Sequence, residues 1–410
     1  MAKGFDRGVY RAVLRVREAY AFDAGGFLMR IYAYMATIGS ISMLTLAGYS
    51  FFTAGTISST IALATFFISP RVSKLVDEKG QHAVVPWAAA IALAGLALML
   101  ATVSFGGPTA LCYVAALLMG FIPNAQALTR ARWTYLVRTG RLGSDAPTLK
   151  TVFSYEGVID DIAFMIGPAA SIALAAALFP AAGMLGGGVC FVVGACVLSL
   201  SRSTEPQAGW VAEASEGPRR KSIIVTSSTV RILFALMFFL GAFYGVFDTA
   251  TVALAEDVGN PSAASFILIV AACVSIASGL VFGMVRLALP QYAQLVLTGT
   301  LVGCAYGAMV FIDSIEALFV VSTVAALFYA PFLITANGAC EQMVPGERLT
   351  EAITWLNSGS ICGLAFGPTL GGVIIDELGT TASFDFGAVL AIMIPVIAFA
   401  CLPILKRRRK

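Results

Sequence analysis

The 410-residue sequence predicts an all-α membrane protein with twelve transmembrane helices in two pseudo-symmetric six-helix bundles. Three observations predict it: the apolar bulk, the one-sided placement of the basic residues, and a Gly-Pro step repeated half a chain apart. The chain is 59% apolar and only 12% charged. Soluble domains hold about half apolar and a quarter charged residues. A soluble chain of this length has too few polar groups to cover its apolar surface. Lipid is the solvent that fits, and the lipid bilayer is the first expected partner.

A spanning helix needs roughly 20 apolar residues. The apolar runs at 22–47, 51–71, 84–105, 108–130, 151–177 and 180–202 make six spans. A second six lie at 228–253, 262–285, 289–312, 315–338, 353–375 and 382–404. Turn signals separate them, among them Gly106-Gly107-Pro108, Asn260-Pro261 and Pro345-Gly346. One long polar stretch divides six spans from six. The expected domains are therefore a bundle over 1–202, a linker over 203–227 and a bundle over 228–410.

The charges orient this map. Of the 26 Lys and Arg, all but Arg30 fall in the termini, the middle stretch and the loops after even-numbered spans. The opposite loops hold only acids, among them Glu256, Asp257, Asp313, Glu316, Asp376 and Glu377. The positive-inside rule then puts both termini in the cytoplasm of a multi-pass protein of the cell membrane. Trp87, Trp133 and Trp355 fall at the cytoplasmic span ends, where interface anchors belong.

Gly167-Pro168 in span 5 and Gly367-Pro368 in span 11 lie 200 residues apart. Spans 4 and 10 share Val-Ala-Ala-Leu, at 114–117 and 324–327. Together these matches point to a duplicated six-helix unit, an arrangement common in secondary transporters.

With these features in place, the chain resembles the major facilitator superfamily, closest to its drug/proton antiporter-like efflux branch. The family carries a G-x-L-x-D-R-x-G-R-R-type motif between spans 2 and 3. Here the stretch reads Ser73-Lys74-Leu75-Val76-Asp77-Glu78-Lys79-Gly80-Gln81-His82, which keeps Leu75, Asp77 and Gly80. Span 11 reads Gly359-x-x-x-Gly363-x-x-x-Gly367-Pro368-x-x-Gly371-Gly372, like the Gly-Pro motif that the antiporters carry in span 5. The resemblance implies that Asp77, Gly80 and Arg348 form a gate between span 2 and the start of span 11. There Glu351 already supplies a negative charge to the helix N-terminus. Gly167, Pro168, Gly363, Gly367, Pro368 and Gly371 are expected to pack and bend helices at close approach. The resemblance also places spans 1, 4, 7 and 10 around a central cavity. Asn124 and Gln126, Tyr244, and Tyr329 with Asn337 are the cavity candidates it implies. The antiporters often carry an intramembrane Arg in span 4. Here Arg130 and Arg132 come at the cytoplasmic end, so that residue is not carried over.

Ionisable groups inside a span are costly and usually functional. Arg30 lies in span 1, Glu156, Asp160 and Asp161 in span 5, and Asp248 in span 7 near its external end. Glu156 and Asp160 are four apart and share a face, while Asp161 is turned by about 100°. Arg30 is expected to pair with Asp160 or Glu156. The remaining acid then carries a coupling proton or meets a cationic substrate. Burial without a partner disfavours the charged form of a carboxylate, and a proton-coupled carrier needs a group that exchanges its proton.

The leading expectation is a monomeric secondary transporter working by alternating access, exporting small amphipathic compounds against protons. Uptake of a sugar or organic anion by the same fold is the nearest alternative, and a non-transporting membrane protein a further one. An enzyme is not expected: there is no H-E-x-x-H, P-loop or G-x-S-x-G. The eight cysteines are scattered without a C-x-x-C pair and His82 is the only histidine, so neither a metal site nor a cofactor is expected. A net charge of +3 gives no reason to expect nucleic acid.

Overall fold

Hydropathy of this kind leaves the backbone no hydrogen-bond partners in lipid, so every spanning segment must satisfy its own. The computed structural model does so with helices. It describes residues 12–143, 146–208, 222–284, 287–344 and 348–407, and among these there is no strand. The principal helices are α1 (Ala19–Leu46), α2 (Phe51–Lys79), α3 (Gln81–Ser104), α4 (Thr109–Met119), α5 (Ala125–Arg138), α6 (Leu149–Ala177) and α7 (Ala182–Leu200). The chain continues with α8 (Ser228–Asp257), α9 (Pro261–Met284), α10 (Gln291–Gly307), α11 (Ile315–Met343), α12 (Leu349–Leu378) and α13 (Thr380–Ala400). Eleven helices among the described residues are long and apolar enough to cross a membrane. The basic residues Lys3, Arg7, Arg11, Arg219, Arg220, Lys221, Arg286 and Arg408 to Lys410, and the Pro345-Gly346 turn, lie outside the described residues.

The fourth expected span departs from its sequence reading. Residues 108–130 do not form one helix but divide into α4 and α5. Gly120 ends α4 where the Ala64 backbone passes too close for a Cβ. Pro123 lacks the N–H a continuing helix requires. The Asn124 side chain then accepts the Ala127 N–H at 3.0 Å and caps α5. Hydropathy averages over a window and is blind to such a break.

The expected loop between spans 2 and 3 is also different. Helix α2 runs through Pro70 to Lys79, so Leu75 and Asp77 are helical. The reversal into α3 takes place at Gly80, whose φ of +90° suits glycine. Leaving the membrane and ending the helix are separate events, and hydropathy reports only the first.

The chain forms two compact units, one of residues 1–40 and 63–218 and the other of 41–62 and 219–410. In the first, α3 packs on α4 and α7, and α6 on α5 and α7. A Cβ on Gly25 would lie 2.9 Å from the Gly194 carbonyl, and one on Gly167 2.9 Å from Tyr34 Cβ. Small residues thus bring α1 against α7 and α6.

In the second unit α8 packs on α12 and α13, α9 on α11, and α10 on α11 and α13. The span-11 glycines form a ladder against α8. A Cβ on Gly359 would meet the Phe234 carbonyl oxygen and one on Gly367 the Ala242 carbonyl oxygen, each at 2.5 Å. One on Gly363 would overlap the Phe238 carbonyl. Gly371 is looser, with Val246 Cα at 3.3 Å. The first turns of α2 belong to this unit. The Asp376 carboxylate accepts the Phe51 and Phe52 N–H groups at 3.1 and 2.7 Å, which caps α2 from α12. Thr45 donates to Glu256 at 2.6 Å and Thr380 to Asp257 at 2.7 Å. The acids of the loops lacking basic residues thus hold helix ends together.

Candidate functional site

Three helices of the first unit build a buried polar cluster. On α1, Asp23, Arg30 and Tyr34 recur at helical spacing and share a face. On α6, Glu156 and Asp160 are one turn apart. On α5, Thr129 and Trp133 are one turn apart, and α5 points them inward only because the chain breaks before Asn124. Arg30 and Glu156 are 3% and 1% exposed and form an ion pair through Nη2 and Oε2. The Arg30 Nε lies 3.7 Å from Asp160 Oδ1. Both expected partners therefore meet Arg30. Thr129 accepts from Arg30 at 2.5 Å and donates to Glu156 at 2.6 Å. Tyr34 donates to Asp160 at 3.0 Å. Asp161 is exposed and stands outside this cluster, as its 100° turn requires.

Beyond Tyr34 and Thr129, three more members are absent from the sequence reading of the site. Asp23 accepts the Trp133 indole N–H at 3.0 Å and approaches Glu156 carboxyl to carboxyl. Its position seven residues before Arg30, on the same face, was the available signal. Trp133 is fully buried, packing its edge on Phe22 at 5.5 Å, and so is not the interface anchor expected of it. Trp355 likewise turns inward, donating to Ser222 at 3.1 Å. Arg130, read as a loop charge, is half-buried with its guanidinium 5.6 Å from the Phe153 ring centre.

Arg132, expected at the cytoplasmic end of span 4, is completely buried. Its guanidinium donates to Gln81 Oε1 at 2.7 Å, to Thr204 at 2.8 Å and to the carbonyls of Leu198, at 2.8 Å, and Ser201. It thereby satisfies the orphan carbonyls at the end of α7. Beside it, Glu205 accepts the His82 N–H at 2.9 Å. A Cβ on Gly80 would lie 3.0 Å from that carboxylate. Gly80, Gln81 and His82 are thus clamped from α5 and from the segment after α7. Asp77 is exposed on the last turn of α2. Arg348 pairs with Glu351 at 2.9 Å and donates to Thr226 at 3.2 Å. Glu351 also accepts from Ser222 and the Ile223 N–H at 2.8 and 2.7 Å.

The second unit gathers aromatic rather than charged groups. Tyr244 on α8 and Tyr306 on α10 share a hydrogen bond of 2.5 Å. The Tyr329 ring of α11 lies edge-on to Tyr244 at 4.9 Å between centres. Phe243 and Phe247 close the cluster at 4.5 and 6.4 Å from Tyr306. Asp248 is half-buried one turn beyond Tyr244. Of the other cavity candidates, Asn124 is the exposed cap of α5, Gln126 is half-buried on that helix, and Asn337 donates to the Leu333 carbonyl at 3.0 Å within α11.

Residues 233–410 match the family model of the Major Facilitator Superfamily. No curated protein matches the sequence. Solved structures match nearly the whole chain at low identity. An auto-inhibited POT family peptide transporter is 13% identical with a TM-score of 0.67, covering 96% of this chain and 97% of its own. The nucleoside transporter NupG gives 13% and 0.67, covering 96% and 100%. The human organic anion transporter MFSD10 (TETRAN) gives 13% and 0.62, covering 93% and 99%. At such identities these likenesses speak for the fold. The second half is thus similar to the Major Facilitator Superfamily, and nearly the whole chain shares the fold of these solved transporters.

Proposed function

We propose that this protein is a proton-coupled secondary transporter that works by alternating access and exports small amphipathic compounds. The observation that carries the reading is the charge count of the buried cluster. Asp23, Glu156 and Asp160 gather around Arg30, with Arg130 at the edge, so acids outnumber bases. A surplus buried carboxylate must find a proton or a cation. Three helices meet at the cluster, so gaining or losing that proton alters the charge that α1, α5 and α6 share. Export rather than uptake rests on the resemblance of the α12 glycine ladder to the antiporter motif.

The similar structures named for peptides, nucleosides and organic anions handle chemically unlike compounds, so the fold does not choose the cargo. Twelve crossings, with α4 and α5 together making the fourth, keep both termini on the basic, cytoplasmic side of the cell membrane. A monomer suffices for the cycle. Within it, Asp77, Gly80 and Arg348 serve the cytoplasmic gate, and Asp161 lines a water-facing surface.

Reconstitution into proteoliposomes with an internal pH dye tests the reading. Adding an amphipathic cation should move protons in the wild type. Glu156→Gln or Asp160→Asn should reduce the proton signal at least about tenfold, the usual scale for loss of a positioned acid–base group. Unchanged proton movement in both variants refutes the assignment.

A further inference from the structure

We propose that the face formed by Tyr244, Tyr306, Tyr329 and Asp248 binds the positive group of an organic cation. The inference rests on the export reading above and narrows its cargo to cations.

The argument begins with what Asp248 lacks. It makes no hydrogen bond or ion pair among the described residues. It sits nine residues before the end of α8, about 14 Å along the axis. The sequence offers it no base. Between residues 222 and 406 the only Lys and Arg are Arg231, Arg286, Arg348 and Lys406; Arg231, the one inside an apolar run, lies at the opposite end of α8 from Asp248, about 25 Å away along the axis. The first unit sets Arg30 among its acids, and the described residues of the second hold no buried base like it. The described residues of the second unit supply no counter-charge for Asp248.

A proton or a cationic ligand would serve, and the surroundings favour the ligand. Beyond Gly241, α8 buries nearly every side chain, and Tyr244 and Asp248 form a half-open stripe at i and i+4. Tyr329, also half-open, stands against Tyr244, and Tyr306 backs it at 5.8 Å between ring centres. The Tyr244–Tyr306 hydrogen bond fixes the two phenols. Ring faces attract a cation within about 6 Å of their centres and do so more strongly where water is excluded. They contribute nothing comparable to holding a bare proton. The rings also supply apolar area for the rest of an amphipathic molecule. The preferred ligand is a bulky, soft cation such as a substituted ammonium or phosphonium.

The test uses the full-length protein in detergent and labelled tetraphenylphosphonium. Tetraphenylborate, nearly the same in shape and opposite in charge, is the competitor. The wild type should bind the phosphonium saturably, and the borate should not compete. Asp248→Asn should weaken binding at least about tenfold, and Asp248→Glu should restore most of it. Tyr329→Leu should weaken it several-fold while Tyr329→Phe, which keeps the ring, stays near wild type. Thermal unfolding midpoints confirm that each variant is folded. No wild-type binding, equal competition by the borate, or an Asp248→Asn variant that binds as the wild type does would overturn the proposal. The last result, joined to a lost proton signal, would make Asp248 a proton carrier instead. If Asp248-dependent binding stands while the wild type moves no protons, the coupling reading fails and this one survives.

Discussion

Arg30 is the residue on which the first unit turns. Removing one member of a buried ion pair strands the other charge, at a typical cost of about 3–5 kcal/mol. Arg30→Met should therefore lower the unfolding midpoint sharply, and Arg30→Met with Glu156→Leu should recover part of the loss. Equal destabilisation by the single and double changes would contradict the pairing. Thr129→Val should cost less, about 1–2 kcal/mol, because it leaves the ion pair in place and removes one hydroxyl from it. The meeting of Arg30 with Glu156 and Asp160 could be read from the sequence, since helical spacing puts both acids on one face. Asp23 could have been read by the same rule but lay at the edge of the span. Arg130, Arg132 and Trp133 could not, because a basic residue near a span end reads as solvated unless its partners are known. The carbonyls of Leu198 and Ser201, which hold Arg132, come from a helix some 65 residues away and leave no local signal.

At the scale of elements, the glycine ladder makes a sharp prediction. Where the α8 backbone crosses Gly363 and Gly367 there is no room for a side chain. Overpacking of this sort costs about 1–3 kcal/mol or more. Gly363→Val and Gly367→Val should both lower thermal stability in detergent. Gly157 in α6 has open space around its Cβ position, so Gly157→Ala should be neutral or stabilising by up to about 1 kcal/mol. Equal tolerance at all three sites would refute close α8–α12 packing. The α2 cap yields a second expectation. Asp376→Ala should cost about 1–2 kcal/mol and speed hydrogen exchange at the Phe51 and Phe52 amides. Long helices such as α8 and α12 were evident from hydropathy alone. The α4–α5 break was not, although Gly120, Pro123 and Asn124 each signal it in hindsight. A window tuned to twenty apolar residues outweighs three local breakers.

For the whole molecule, α6 and α12 begin 200 residues apart and carry their interior prolines at corresponding places, Pro168 and Pro368. The two units differ in chemistry. One gathers acids around Arg30, and the other sets the unpaired Asp248 beside an aromatic cluster. That division suggests a division of labour, protons in the first unit and cargo in the second. The sequence already placed most ionisable groups in the first half. What it lacked was the aromatic cluster, because Tyr244, Tyr306 and Tyr329 come from three helices and are neighbours only once α8, α10 and α11 have packed.

The central claim is that the Arg30–Glu156–Asp160 cluster couples proton movement to transport. Proteoliposomes loaded with an amphipathic cation can be assayed for exchange of labelled for unlabelled cargo, which requires no net proton movement, and for accumulation driven by an imposed pH gradient. Glu156→Gln should retain exchange and lose gradient-driven accumulation. Retention of both activities in Glu156→Gln and in Asp160→Asn would contradict the account.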